Sequence, residues 1–315
     1  MSTSAPQSLQ TRAVVARGIT KVFGSPESPV HALRGVDLDV AAGSVTAIMG
    51  PSGSGKSTLL QVLAGLDTPT SGQVWLAEQE ITGMRDEPLT LLRRQRMGFV
   101  FQAFNLLPAL TAEENIRLPF LLAGSRPSTD DEAWIGAVVT RLGLRDRLDH
   151  RPHQLSGGQQ QRVAIARALV TRPDVIFADE PSGALDSASG DEVLGLLRSA
   201  STEYGQTVVL ITHDPRAASV ADRVILMSDG AVIDDFDGGT AEQISARVSG
   251  RTSGHATAHI AGIGGVQSDG RMSAHTTGHI AGVEGAQMNG LAVGHPAGPA
   301  PAAAQNTDQL PAVSE

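Results

Sequence analysis

Residues 50–57 read Gly-Pro-Ser-Gly-Ser-Gly-Lys-Ser, a G-x-x-x-x-G-K-[ST] pattern set between two runs of different character. Before it, Val45 to Met49 is a short apolar run of the β type; after it, Lys56 to Ala64 reads as a helix. Strand, glycine-rich turn and helix, in that order, are what a phosphate-binding loop requires. Gly50, Gly53 and Gly55 let the backbone curl so that successive N–H groups point inward, and the helix adds the positive end of its dipole. Lys56 can reach β- and γ-phosphates, and the Ser57 hydroxyl suits Mg²⁺. Pro51, Ser52, Ser54 and Thr58 complete the candidate cradle. Of 24 basic residues only Lys21 and Lys56 are lysine. The arginine excess reads as base-composition bias, against which Lys56 marks a position where arginine would not serve.

A second signal is Val175-Ile-Phe-Ala-Asp179-Glu180, an apolar strand ending in two acids. A buried strand explains the apolar part but not adjacent carboxylates at its C-terminal end, where open α/β sheets bind ligands. Asp179 suits Mg²⁺ through water, and Glu180 suits a general base that polarises the attacking water. With the phosphate loop this makes a P-loop ATPase.

The remaining pattern fits an α/β chain. Residues 13–23 and 33–49 read as strands of an N-terminal antiparallel β region, separated by the turn-rich Gly24 to Pro29. Residues 103–150 are helix-rich, with breaks at Pro108 and Pro127. A helical pattern runs from Ser156 to Val170, then strands at Asp174 to Ala178 and Thr207 to Thr212, then a helix near Pro215 to Ala221. The expected fold is a P-loop NTPase core at 13–245 with a helical subdomain at about 103–154, after a flexible N-terminus at 1–12.

Composition narrows the function. A net charge of −9 provides no positive field for nucleic acid. With no cysteine there is no disulfide framework, Cys-based zinc site or cysteine nucleophile. Met1 to Gln10 is polar and lacks the apolar centre of a secretory signal. No run approaches the roughly 20 apolar residues that span a bilayer, so a soluble chain is expected, with any membrane role exercised through partners. From residue 246 to 315 the chain is rich in Gly, Ala and His, and residues 251–270 resemble 271–290, a repeat of 20 residues. That composition reads as a disordered tail. Its histidines at 255, 259, 275, 279 and 295 fall at matching places, as duplication alone would produce.

Leu155-Ser-Gly-Gly-Gln159, followed by Gln160-Gln-Arg-Val-Ala-Ile-Ala-Arg-Ala-Leu169, sets a glycine-bearing helix start 100 residues after Lys56. A helix start with free N–H groups is a second anion site, which one γ-phosphate does not need if the two lie on different lobes of one chain. Here the sequence resembles the ABC (ATP-binding cassette) ATPase family, over roughly residues 13–240. The resemblance implies that Ser156, Gly157, Gly158 and Gln159 contact ATP held by the phosphate loop of a second copy. It implies that Gln102 senses Mg²⁺ and a membrane partner, that Ser182-Gly-Ala-Leu-Asp186 crosses the dimer interface, and that His213 touches the γ-phosphate. Phe23 stands where the family has an aromatic that stacks on adenine; the alternative is a core aromatic of the first strand.

The runs at 63–72, 98–108 and 110–116 look like the lipoprotein-release and macrolide-export group. Phe101, Phe104 and Leu106 would then line a groove for a short helix of a permease, or else belong to the core of the helical lobe. The resemblance implies a homodimer bound to an integral membrane permease at the cytoplasmic face, using ATP and Mg²⁺ for export. Another reading is a regulator of the cell-division type, acting through a permease-like partner. A DNA-maintenance role is disfavoured because no long charged-heptad coiled coil separates the loop from the signature. A ribosome-acting member would carry two sets of motifs, and this chain has one.

Overall fold

A computed structural model describes residues 12–261, with side chains through residue 251. The N-terminal alternation forms two long strands, β1 (Arg12–Phe23) and β2 (Val30–Ala41), paired antiparallel. The apolar run at 33–49 supplies strands of two sheets, because the chain turns at Ala42-Gly43 and β3 (Val45–Met49) leaves for the second. β4 (Ser71–Leu76) and β5 (Gln79–Glu80) complete the first sheet, in the order β2-β1-β4-β5.

The second sheet joins β3 to β6 (Met97–Phe101), β7 (Val175–Asp179), β8 (Thr207–Thr212), β9 (Arg223–Ser228) and β10 (Ala231–Asp237). Its order is β10-β9-β3-β8-β7-β6, parallel throughout except for β10. Both faces are covered, which is why these strands read as continuous apolar runs. Successive residues enter opposite cores. Val45, Ala47, Ile176, Ala178, Val208 and Leu210 face one, while Ile48, Val175, Phe177, Val209 and Ile211 face the other.

The second of these cores is closed by the first sheet with α1 (Lys56–Leu63) and α2 (Asp86–Arg96). The first is closed by α3 (Ala112–Leu122), α4 (Thr129–Arg141), α5 (Gly157–Leu169), α6 (Ser187–Tyr204), α7 (Pro215–Ala218) and α8 (Ala241–Ala261). Capping boxes start three of these helices: Thr111 with Glu114, Ser128 with Asp131, and Ser156 with Gln159. Fully buried Asn115 donates to the carbonyls of Leu107, Leu110 and Thr111 and accepts from the Leu107 N–H, fixing the loop before α3.

All described residues belong to one compact unit. The boundary expected after residue 245 falls inside α8. The helix continues because Arg247 and Arg251 bond to Asp234 of β10, at 2.8 and 3.3 Å, and the Arg247 guanidinium lies 4.2 Å from the Phe236 ring centroid. These ties offset the poor helix propensity of the glycines. The expected flexible N-terminus, up to residue 11, and the repeats beyond residue 261 lie outside the described residues.

The Asp234 side chain is only 7% exposed, and the Arg247 bond holds its carboxyl below the usual range. A carboxylate whose pKa is depressed on folding contributes stability above its unfolded pKa and loses it as pH falls through the folded value. Asp234→Ala should therefore cost about 1–3 kcal/mol near neutral pH in urea unfolding. The difference from the unsubstituted chain should shrink in acid, and amide exchange should rise in residues 241–250.

Candidate functional site

The phosphate-loop motif forms its turn at the C-terminal end of β3. Gly50 has φ +153°, and a Cβ there would meet the Met227 carbonyl oxygen at 2.3 Å and Ser54 Oγ at 2.7 Å. Gly55 has φ +97°, with the Ala32 carbonyl 2.5 Å from where its Cβ would stand. No L side chain fits either position. Pro51, Ser52 and Gly53 are exposed on the loop, and the buried Ser54 hydroxyl has no hydrogen-bond partner. Helix α1 begins with no side-chain cap and no acid in its first turn, which leaves its N–H groups available to an anion. Ser57 is exposed and Thr58 half-buried, both at that helix start.

Lys56 is 8% exposed, and its ammonium donates to the carbonyls of Gly50 and Pro51, both at 2.8 Å. Burial lowers its pKa, opposed by the charges of Glu180 and Asp179. Asp179 ends β7, and its pKa is raised by burial and by Glu180, against the pull of Lys56. The three charges thus face one another across the strand ends.

Glu180 adopts φ +46°, a left-handed conformation rare for a side chain of this kind. Its N–H donates to the Ile211 carbonyl at 2.9 Å, its Oε1 lies 2.7 Å from His213 Nδ1, and its Oε2 accepts from Thr212 Oγ1 at 3.3 Å. The Glu180 side chain is 20% exposed and that of His213 68%, so the carboxylate is positioned from β8 while the imidazole stands in the open. Gln102, directly after β6, is exposed, and its amide nitrogen lies 3.0 Å from where a Gly183 Cβ would stand.

The structure places the Leu155–Gln159 segment among different neighbours. Ser156 caps α5, accepting from the Gln159 N–H at 3.3 Å, and the Gln159 side chain accepts from the Ser156 N–H at 2.9 Å. A Cβ on Gly157 would meet Leu185 at 3.3 Å and Phe104 at 3.7 Å; one on Gly158 would meet Ser189 at 3.2 Å. The glycines therefore let this helix start lie close against the beginning of α6. Asp186 caps α6, accepting from the N–H groups of Ala188 and Ser189, which hold its pKa down.

One residue escaped the sequence reading. Gln161 is fully buried and donates from Nε2 to the Pro181 carbonyl at 2.6 Å and the Phe101 carbonyl at 3.4 Å. It joins α5 to the ends of β6 and β7. Its only sequence signal is a polar residue on the apolar face of α5.

Phe23 is 43% exposed, with Lys21 Nζ 4.9 Å from its ring centroid, so the core alternative is excluded. The groove residues separate. Phe101 stacks on Phe99 and lines a cleft with Leu118 and Leu122. Phe104 touches the signature helix start, and Leu106 packs on the core.

A family model described as ABC transporter matches residues 33–183. An ATP-binding cassette solved as a dimer, in a post-hydrolysis state bound to ADP and Pi, superposes with TM-score 0.65 at 41% identity, over 71% of this chain and 98% of that one. The chain belongs to the ABC transporter family of ATP-hydrolysing cassettes. A cassette of Clostridium perfringens, part of a cbiONQ ABC transporter complex, matches with TM-score 0.65 at 28% identity, over 80% of this chain and 98% of that chain. Among curated relatives, the pyoverdine export ATP-binding/permease protein of Pseudomonas syringae pv. tomato is 49% identical over 72% of this chain and 34% of its own length. The macrolide export ATP-binding/permease protein of Marinobacter nauticus is 50% identical over 69% of this chain and 33% of its own length. The chain thus spans about a third of those relatives.

The Asp179 carboxyl of this cassette carries a testable cost. Its raised pKa means that the ionised form is disfavoured on folding, so the chain is destabilised above that pKa and relieved as pH falls through it. Asp179→Asn should raise the melting midpoint near neutral pH by about 2–4 °C. That gain should vanish in acid, as followed by circular dichroism.

Proposed function

We propose that this cassette powers the movement of a substrate across or out of a membrane, working as a homodimer on a separate integral membrane permease. The observation that carries this reading is the setting of the signature segment. Its glycines abut Phe104, Leu185 and Ser189 of their own chain, while the phosphate loop abuts Ala32 and Met227. A signature helix start that serves ATP is then best used by the phosphate loop of a second copy. Dimeric cassettes among the solved relatives support this arrangement.

ATP is the substrate of each composite site. The N–H groups of the glycine-rich loop beyond Pro51 and of the start of α1 cradle its phosphates, and Lys56 exchanges its carbonyl partners for β- and γ-phosphate oxygens. Phe23 offers a ring face to adenine. Ser156, Gly157, Gly158 and Gln159 of one copy meet the γ-phosphate held by the other, and Asp186 stands at the interface between copies. Glu180 takes the proton of the attacking water, and His213 contacts the γ-phosphate while bonded to Glu180. The Ser57 hydroxyl, the Gln102 amide oxygen and the Asp179 carboxylate would hold Mg²⁺, since oxygen donors suit a hard cation. When bound, Mg²⁺ neutralises phosphate charge.

ATP favours the closed pair, and hydrolysis followed by product loss favours the open one, which is differential binding between two states. The cleft beside Phe101 transmits that change to the permease. Among the described residues no helix is long and apolar enough to cross a membrane. The reading places the cassette at the cytoplasmic face, bound to its membrane partner. Similarity to the export proteins supports export over import.

Glu180→Gln should bind ATP, accumulate a dimer in size-exclusion chromatography, and lose about 10²–10⁴-fold in phosphate release. Turnover at the unsubstituted rate would remove Glu180 from the role of base, and a monomer under saturating ATP would remove the composite site. Lys56→Ala should lose nucleotide affinity or turnover, read by nucleotide titration and phosphate release.

A further inference from the structure

Of the 24 basic residues only two are lysine, and the phosphate loop accounts for one of them. The other, Lys21, lies near the end of β1, two residues before Phe23. Its side chain is only 12% exposed. The ammonium donates to Asp67 Oδ1 at 2.6 Å and to the Thr68 carbonyl at 2.7 Å, and it stands over the Phe23 ring, 4.9 Å from the centroid. Carboxylate, carbonyl and ring face thus surround one small cation. A compact ammonium on a flexible stem can meet partners set at such angles, whereas a guanidinium presents its donors in one plane. Here lysine has a physical reason to persist in an arginine-rich chain.

The anchor matters as much as the ring. Asp67 and Thr68 follow the turn that ends α1, where the N–H groups of Leu66 and Asp67 both donate to the Gln61 carbonyl, at 2.8 and 3.1 Å. The same segment is stitched to β1. The Thr70 N–H donates to the Thr20 carbonyl at 2.8 Å, and Thr70 Oγ1 accepts from the Val22 N–H at 3.0 Å. At its other end α1 begins with Lys56 and Ser57 of the phosphate loop. Lys21 therefore ties Phe23 to the far end of the helix whose start meets the phosphates.

Phenylalanine has no polar atom to fix its ring, and Phe23 is 43% exposed. A cation within about 6 Å of an aromatic face is held there by the negative charge of that face. We infer that Lys21 is a positioning residue for nucleotide binding: anchored on Asp67 and Thr68, its ammonium holds one face of Phe23 so that the other receives adenine. This rests on the reading that Phe23 stacks on the base, and it deepens that reading by naming what aims the ring.

The full chain is assayed for phosphate release from ATP, with inorganic tripolyphosphate as a competitor that has phosphates but no base. Lys21→Met keeps the apolar stem and removes the charge. It should raise KM for ATP about 3–10-fold. Both kcat and the inhibition constant of tripolyphosphate should stay within about 2-fold, which a general loosening of the phosphate loop would not allow. Lys21→Gln, a second uncharged variant, should repeat the result. Phe23→Ala should raise KM by about 10-fold or more, and adding Lys21→Met to it should raise KM no further. If Phe23→Ala raises KM but neither Lys21 variant does, the positioning role is overturned and stacking stands. Equal weakening of ATP and tripolyphosphate, or a Lys21 effect that persists without Phe23, has the same consequence. A KM unmoved by Phe23→Ala overturns stacking and the inference with it.

Discussion

The parallel register of β6, β7, β8 and β3 pairs Phe101 with Asp179, Asp179 with Ile211, and Thr212 with Met49. The residues one step beyond those ends are Gln102, Glu180, His213 and Gly50, so four segments far apart in sequence deliver their chemistry to one edge of the sheet. Slipping any strand by one residue would exchange its two cores as well as misplace its terminal side chain. Burial on both faces therefore protects the site's geometry: Ile48 and Phe177 on one side, and Ala47 and Ala178 on the other, lock the register that catalysis uses.

Charge at this edge is held in tension. Lys56 and Asp179 are each disfavoured by burial and each relieved by the other. Glu180 adds a second negative charge from a left-handed backbone position, a conformation that costs about 1–3 kcal/mol. Bonds to the Ile211 carbonyl, Thr212 and His213 hold it there. The arrangement is preorganised for a polyanion: Lys56 spends its donors on two carbonyls of its own loop, which a phosphate can replace without moving the backbone far.

Much of this was legible before any coordinates. The phosphate loop was readable because glycine is the residue that tolerates the contacts at positions 50 and 55, and the acidic strand end because carboxylates have no packing reason to follow an apolar run. Other features are set by tertiary contacts that leave little local trace. The split of residues 33–49 between two sheets depends on where β3 finds partners. The continuation of α8 past residue 245 depends on Asp234, a residue on another element. Gln161 looks like any polar residue of a helix until the Pro181 carbonyl is seen beneath it. The exposure of Phe23 follows from its place at the end of β1, with Lys21 beside it.

Contacts of this kind also tie the cleft beside Phe101 to the edge of the sheet. Arg167 bonds the carbonyls of Phe104 and Asn105, two non-glycine residues with φ +60° and +50°. Phe104 in turn touches the Gly157 position, and the Gln102 amide lies against Gly183. Gln161 fastens the same helix to the Phe101 and Pro181 carbonyls. Cleft floor, Gln102 turn and signature start are thus joined by short, directional contacts rather than by a soft loop. The turn after β6 that carries Gln102 is therefore held by Arg167 from the cleft side and by Gln161 from within α5.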